Sequence, residues 1–233
     1  MRLTHKPSQI GLAILLVISG FLLTFTLLLP NSSASTTFSS GDISGPSGYF
    51  KSARAQFAFH WKNVKTHQGI QTVLIFGDFQ KPQIQTAIPT GNKISANKKT
   101  FYSTYRLINS NGKLQPTETS FKIIQLGKNR YQVHIATTGT GRIAKSGGKS
   151  YTFTRTKTSP AKTYANAYSK RVLNQRYTKQ LNANLEKQYQ AAKQKGENIK
   201  DPATDPDIQA KVKSTAATAT ARSIKNIIKA FNY

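Results

Sequence analysis

Apolar residues change their spacing twice along this chain, and the three regimes predict three kinds of structure. Residues 10–29, IGLAILLVISGFLLTFTLLL, are apolar all round, with Ser19, Thr24 and Thr26 as the only polar side chains and no charge. About 20 such residues suffice for a helix to cross the hydrocarbon core of a bilayer. From about residue 50 to residue 158 the period is close to two, the signature of strands. Beyond Ser159-Pro160 it becomes three to four, the signature of helices.

In the strand region, Phe57, Phe59 and Trp61 fall on one face. Residues 70–79 form the strongest strand. Val73, Leu74, Ile75 and Phe76 are apolar on both faces, as in a central strand or one covered by a helix. Gly77 inside this run reads as a bulge. Residues 83–88 alternate again, and 100–109 are aromatic and β-branched. Asn111-Gly112 signals a hairpin. Residues 121–126 and 131–137 flank a second turn at 127–130, and 151–155 close the region. The expectation is a meander, small barrel or strongly curved sheet of short antiparallel strands.

Ser159 and Pro160 are start signals for a helix. Its apolar stripe runs through Tyr164, Tyr168 and Val172, then through Leu173, Tyr177, Leu181, Leu185 and Tyr189. Steps of four drift around a 3.6-residue helix, so the two halves should meet different neighbours, the sheet first and a second helix next. On an alternative reading, Tyr177, Leu181, Leu185 and Tyr189 dock a partner protein. Gly196 ends this helix, and Asp205-Pro206 caps and starts the next. There Val212, Ala216, Ala219, Ile227 and Phe231 share one face, and Lys211, Arg222, Lys225 and Lys229 the other.

The expected fold is therefore α+β: an antiparallel sheet or small curved β-barrel, then a C-terminal two-helix hairpin, preceded by a transmembrane or signal helix. The segments are a signal peptide or anchor (1–34), a flexible Ser/Thr/Gly tether (35–49), the β domain (50–158) and the hairpin (159–233). Arg2, His5 and Lys6 before the apolar run orient the remainder outward. Ser32-Ser33-Ala34 fits a cleavage site, whereas the length of the run fits a retained anchor. The chain is expected to be single-pass in the cell membrane, or secreted if cut near Ala34.

Composition narrows the chemistry. Cysteine is absent, which removes disulfides, thiol nucleophiles and thiolate metal sites. Lys and Arg number 34 against 8 Asp and Glu, a formal net charge of +26. Such a field attracts polyanions. Cations interleave with Phe57, Phe59, Trp61, Phe101, Tyr102, Tyr105, Tyr151 and Phe153. Lys62, Lys65, Arg106, Arg142, Lys145, Lys149 and Arg155 are accordingly the candidate contacts for an anionic polymer. An aromatic core face backed by a solvated basic face would leave the same pattern.

A catalytic inventory is thin. His60, His67 and His134 lack helical metal-ligand spacing, and a His60/His134/Asp78 grouping would have to assemble across the sheet. Asp42, Asp78 and Glu118 are the carboxylates before the helices, a poor supply for paired-acid hydrolysis. No G-x-S-x-G elbow or phosphate-binding loop occurs. The expectation is an exported, non-enzymatic surface protein, without metal or cofactor, that binds anionic envelope polymers. An envelope-assembly protein is the alternative, and nucleic acid a less favoured ligand.

Overall fold

The computed structural model describes residues 36–66, 69–139 and 141–233. The apolar run 10–29, the triplet 32–34, His5 and His67 lie outside the described residues. Nine strands come first: β1 (Tyr49–Ser52), β2 (Phe57–Thr66), β3 (Gly69–Asp78), β4 (Gln83–Ile94), β5 (Thr100–Ile108), β6 (Leu114–Gly127), β7 (Arg130–Thr138), β8 (Gly141–Ala144) and β9 (Lys149–Thr156). β1 to β7 pair antiparallel in chain order. β9 lies between β7 and β1, so eight strands close a barrel. β8 pairs with β7 over residues 135–138, beyond the stretch that β6 occupies.

Alternation decides what fills the barrel. Phe57, Phe59 and Trp61 point inward as the pattern requires, joined by Phe50, Phe76, Phe101, Tyr105, Phe121, Tyr131 and Phe153. Phe50 stacks on Phe59 at 5.0 Å, and Trp61 meets Phe59 edge-on at 5.7 Å. Such pairs add about 0.5–1.5 kcal/mol each beyond burial of area. The barrel is thus filled with rings. Tyr105 keeps its polar end satisfied by donating its hydroxyl to the Ala144 carbonyl, and burial pushes its phenol above the ordinary range.

The outer face of β2–β4 carries a second apolar set. Ala58, Val73, Ile75 and Phe79 meet Ala161, Tyr164, Leu173, Ile224, Ile227 and Phe231 of the helices. This double coverage accounts for the two-faced sequence of β3. Gly77 is not a bulge, because its pairing is regular on both sides. It makes room instead, since a Cβ there would lie 2.8 Å from the Phe231 ring. Register shifts fall instead at Pro89/Gly91 of β4, Arg106/Ile108 of β5 and Gln125/Gly127 of β6.

The first helical rod runs through α1 (Ala161–Tyr164), a π-turn (Ala165–Ser169) and α2 (Lys170–Gln194). A π-turn inserts one extra residue into the helical register, which explains the doubled apolar pair Val172-Leu173. Inside that turn the buried Ser169 hydroxyl donates to the Phe79 carbonyl at 2.9 Å. Gly196 terminates the rod at φ 78°. Asp205 then caps α3 (Pro206–Phe231) by accepting the N–H groups of Asp207 and Ile208. Among the described residues no helix is long and apolar enough to span a bilayer.

The flexible tether expected through residue 49 is corrected from Phe38 onward. Phe38 is buried between Phe101 and Tyr131, 5.8 Å from each ring. A 3₁₀ turn, Ser40–Ser44, follows, with Asp42 accepting from the Ser39 N–H and hydroxyl. Small polar residues hid one aromatic that the barrel needed.

Candidate polyanion-binding surface

The helices cover one side of the barrel and leave the wall of β4–β7 open. Positions between buried neighbours point outward there. Lys93 pairs with Tyr102, and Tyr102 with Lys122. Ile123 pairs with Val133, so the next step outward sets Lys122 beside His134, which pairs with Ser150. One row across four strands thus reads Lys93, Tyr102, Lys122, His134. Tyr102 is 43% exposed. The adjacent row supplies Gly91, Thr104 and Ser120.

A crossover frames the row. Chain from β8 to β9 passes over the outside of β7, because those two strands flank it on opposite sides. Lys145 N–H donates to the His134 carbonyl and Ser146 N–H to the Ser120 carbonyl, which ties the crossover to β7 and β6. Gly148 permits the passage, since a Cβ there would lie 2.4 Å from the Ile135 carbonyl carbon. Between crossover and row lies an open groove of about 1020 Å³, lined among others by Lys93, Tyr102, Lys122, His134, Ser146 and Gly147. Exposed Lys98, Lys99, Lys128 and Arg130 stand at the β4–β5 and β6–β7 turns of the same wall.

Carboxylates do little to offset these charges. Asp42 and Asp78 are buried and bound to Arg155 and Arg142. Glu118 is on the open wall, where it accepts from Thr90 at 2.6 Å and pairs in register with Arg106.

The structure divides the expected contacts. Arg142 is a correction: it is 8% exposed, donates from Nε to Asp78 at 2.9 Å and from Nη2 to Asp78 and the Ala55 carbonyl, and packs on the Phe57 ring. It closes one end of the barrel. Arg155 is a second correction, because it donates to the Ser47 carbonyl and hydroxyl and meets Asp42 at 3.5 Å, clamping the N-terminal segment. Lys62 donates to the Asn232 carbonyl and holds the chain end. Arg106 donates to the Gln115 carbonyl within its own hairpin. Lys65 is exposed on β2, apart from the row. Lys145 and Lys149 bracket the crossover beside the groove. Lys93 and Lys122 went unnoticed in the sequence, where nothing local distinguishes an outward lysine of one strand from that of another.

Of the helix face expected for a partner, one residue is engaged within the hairpin. Tyr177 shares a 2.7 Å hydrogen bond with Ser223 of α3. Leu181, Leu185 and Tyr189 are half-buried, and Leu185 borders Pro202 and Ala203 of the connection. Tyr177 thus serves the hairpin itself, and Tyr189 meets Lys193 of its own helix. Nor do His60, His134 and Asp78 come together. His60 is buried under Phe231, with Nε2 2.7 Å from the Phe231 carbonyl, Asp78 is bound by Arg142, and His134 is on the open wall. No three His, Cys, Asp or Glu among the described residues are grouped to hold a metal ion.

The chain matches no protein-family model, no curated protein and no solved structure.

Proposed function

We propose that this is an exported, non-enzymatic cell-surface protein that binds anionic polymers of the envelope through the open wall of its barrel. The single observation that carries the reading is the outward row of Lys93, Lys122 and His134 on the wall the helices leave bare, next to Lys145 and Lys149. The expected leader, residues 10–29 preceded by Arg2 and Lys6, supports placement outside a membrane, anchored or cleaved near Ala34. Binding of this kind is charge-dominated and sensitive to salt.

The test uses the full-length chain in non-ionic detergent with a poly(glycerol phosphate) polymer. Affinity is expected to fall by about tenfold or more between 50 and 200 mM salt, roughly the behaviour of polyanion contacts that release several counterions. Absent binding, or binding indifferent to salt, overturns the reading. Fractionation with mass determination of the chain tests its location: a cytosolic product overturns export.

A further inference from the structure

The open wall has a feature that charge alone does not require. Tyr102 stands exposed between two lysines, in register with Lys93 on one side and Lys122 on the other. Neighbouring strands are about 4.8 Å apart, so the two lysine backbones are about 9.5 Å apart with the phenol ring between them. Among the residues lining the groove, Tyr102 is the exposed aromatic, because Phe121 is 2% exposed and points into the barrel.

The surroundings of the ring are rich in hydroxyls. Thr104 and Ser120 lie in the next row, and Ser146 reaches the groove from the crossover. Gly91 pairs with Thr104 and carries no side chain, which keeps the floor low beside Tyr102. An aromatic platform with hydroxyl partners and a cation on either flank is complementary to one class of ligand. That class is a sugar ring bearing or joined to anionic groups. The apolar C–H face of the sugar lies on Tyr102, its hydroxyls meet Ser and Thr, and its anionic substituents reach Lys93 and Lys122. A bare inorganic polyanion leaves the ring idle. A strand of bases uses several aromatic platforms in succession, and this groove offers one.

We infer that the groove is a saccharide subsite, selecting anionic polymers that contain sugar over those that do not. This rests on the proposed polyanion binding and adds ligand class to it. The experiment compares three probes on the full-length chain: a base-free sugar-phosphate polymer, inorganic polyphosphate of equal charge, and single-stranded DNA. Tyr102→Ala, at an exposed position, is expected to weaken the sugar-phosphate polymer by about tenfold, on the scale of one stacking contact, and polyphosphate by under twofold. Tyr102→Phe keeps the platform and should retain most of the affinity.

Equal loss, or no loss, of both polymers in Tyr102→Ala overturns the saccharide subsite and leaves polyanion binding standing, provided that Lys93→Gln with Lys122→Gln weakens both. A larger loss for DNA than for the sugar polymer also overturns it, in favour of base stacking. If the native chain binds none of the three probes, the saccharide subsite falls, and if it binds no poly(glycerol phosphate) either, both readings fall.

Discussion

Asp78 accepts from Arg142 through both oxygens and also caps the turn after β3 by accepting the N–H groups of Gln80 and Lys81. Both side chains are nearly sealed from water. Removing one partner strands the other charge in the barrel end, which for buried pairs costs about 3–5 kcal/mol. Asp78→Ala is therefore expected to lower the urea midpoint sharply without weakening the affinity of the chain that remains folded. A midpoint unchanged within error would show that water reaches Arg142 there. His60 offers a residue-scale test by pH. Burial, opposed by the Phe231 and Trp61 carbonyls and assisted by Lys62, holds its pKa below the ordinary 6.5. The unfolded chain then takes up the proton that the folded chain refuses. Stability is accordingly complete above about pH 6.5 and declines as pH falls toward the lowered folded value. His60→Gln should lose that slope, read as urea midpoints at pH 7 and pH 5.5. A variant slope equal to the native one would remove His60 from the account. In the sequence His60 was visible only as a histidine among large apolar residues. Its partner is 171 positions away, and no local pattern encodes that distance.

At the scale of elements, period was legible and pairing was not. Alternation placed the inward aromatics of β2 and the hairpins around β6, and Gly196 and Asp205-Pro206 placed the end of α2 and the start of α3. Closure through β9 and the passage over β7 depend on contacts between distant strands, which periodicity does not carry. The apolar doubling at Val172-Leu173 was visible as drift, yet its cause is a π-turn held by Ser169. The N-terminal segment makes the same point energetically. Ser, Thr and Gly around Phe38 read as a tether, whereas its single ring occupies a site between Phe101 and Tyr131. Truncating a buried Phe costs about 3–5 kcal/mol, so Phe38→Ala is expected to destabilise the barrel by that order in urea unfolding. A cost below about 1 kcal/mol would return the segment to the status of a tether. Gly77 gives the matching test for the helices. Gly77→Ala crowds Phe231 and should loosen α3, read as faster amide exchange over residues 224–231 while β5 and β6 stay protected. Unchanged exchange would mean that Phe231 is not seated on the bare strand.

The whole molecule sorts its charges by what lies above them. Helices cover β2–β4, Arg142 closes the barrel end, Arg155 and Lys62 hold the flanking segments, and Lys93, Lys98, Lys99, Lys145 and Lys149 face solvent. Net charge alone treats every cation alike, which is why the sequence pattern groups Arg142, buried on Asp78, and Arg155, held by Ser47 and Asp42, with Lys145 and Lys149 beside the groove. The arrangement implies a difference that net charge does not. Lys93→Gln with Lys122→Gln, and Lys65→Gln with Arg222→Gln, each remove two positive charges, from exposed positions apart from the half-buried Lys122. If anionic polymer lies along the open wall, the first pair should weaken binding by about tenfold or more and reduce the slope of log affinity against log salt by roughly two, one unit per lost contact. The second pair acts through the long-range field, which salt screens within about 10 Å at 0.1 M, and should change affinity by less than about threefold. Titration of both variants against poly(glycerol phosphate) at four salt concentrations measures the two slopes. Equal losses would mean that the polymer responds to the charge of the whole molecule, and the row on β4–β7 would then have no privileged part in binding.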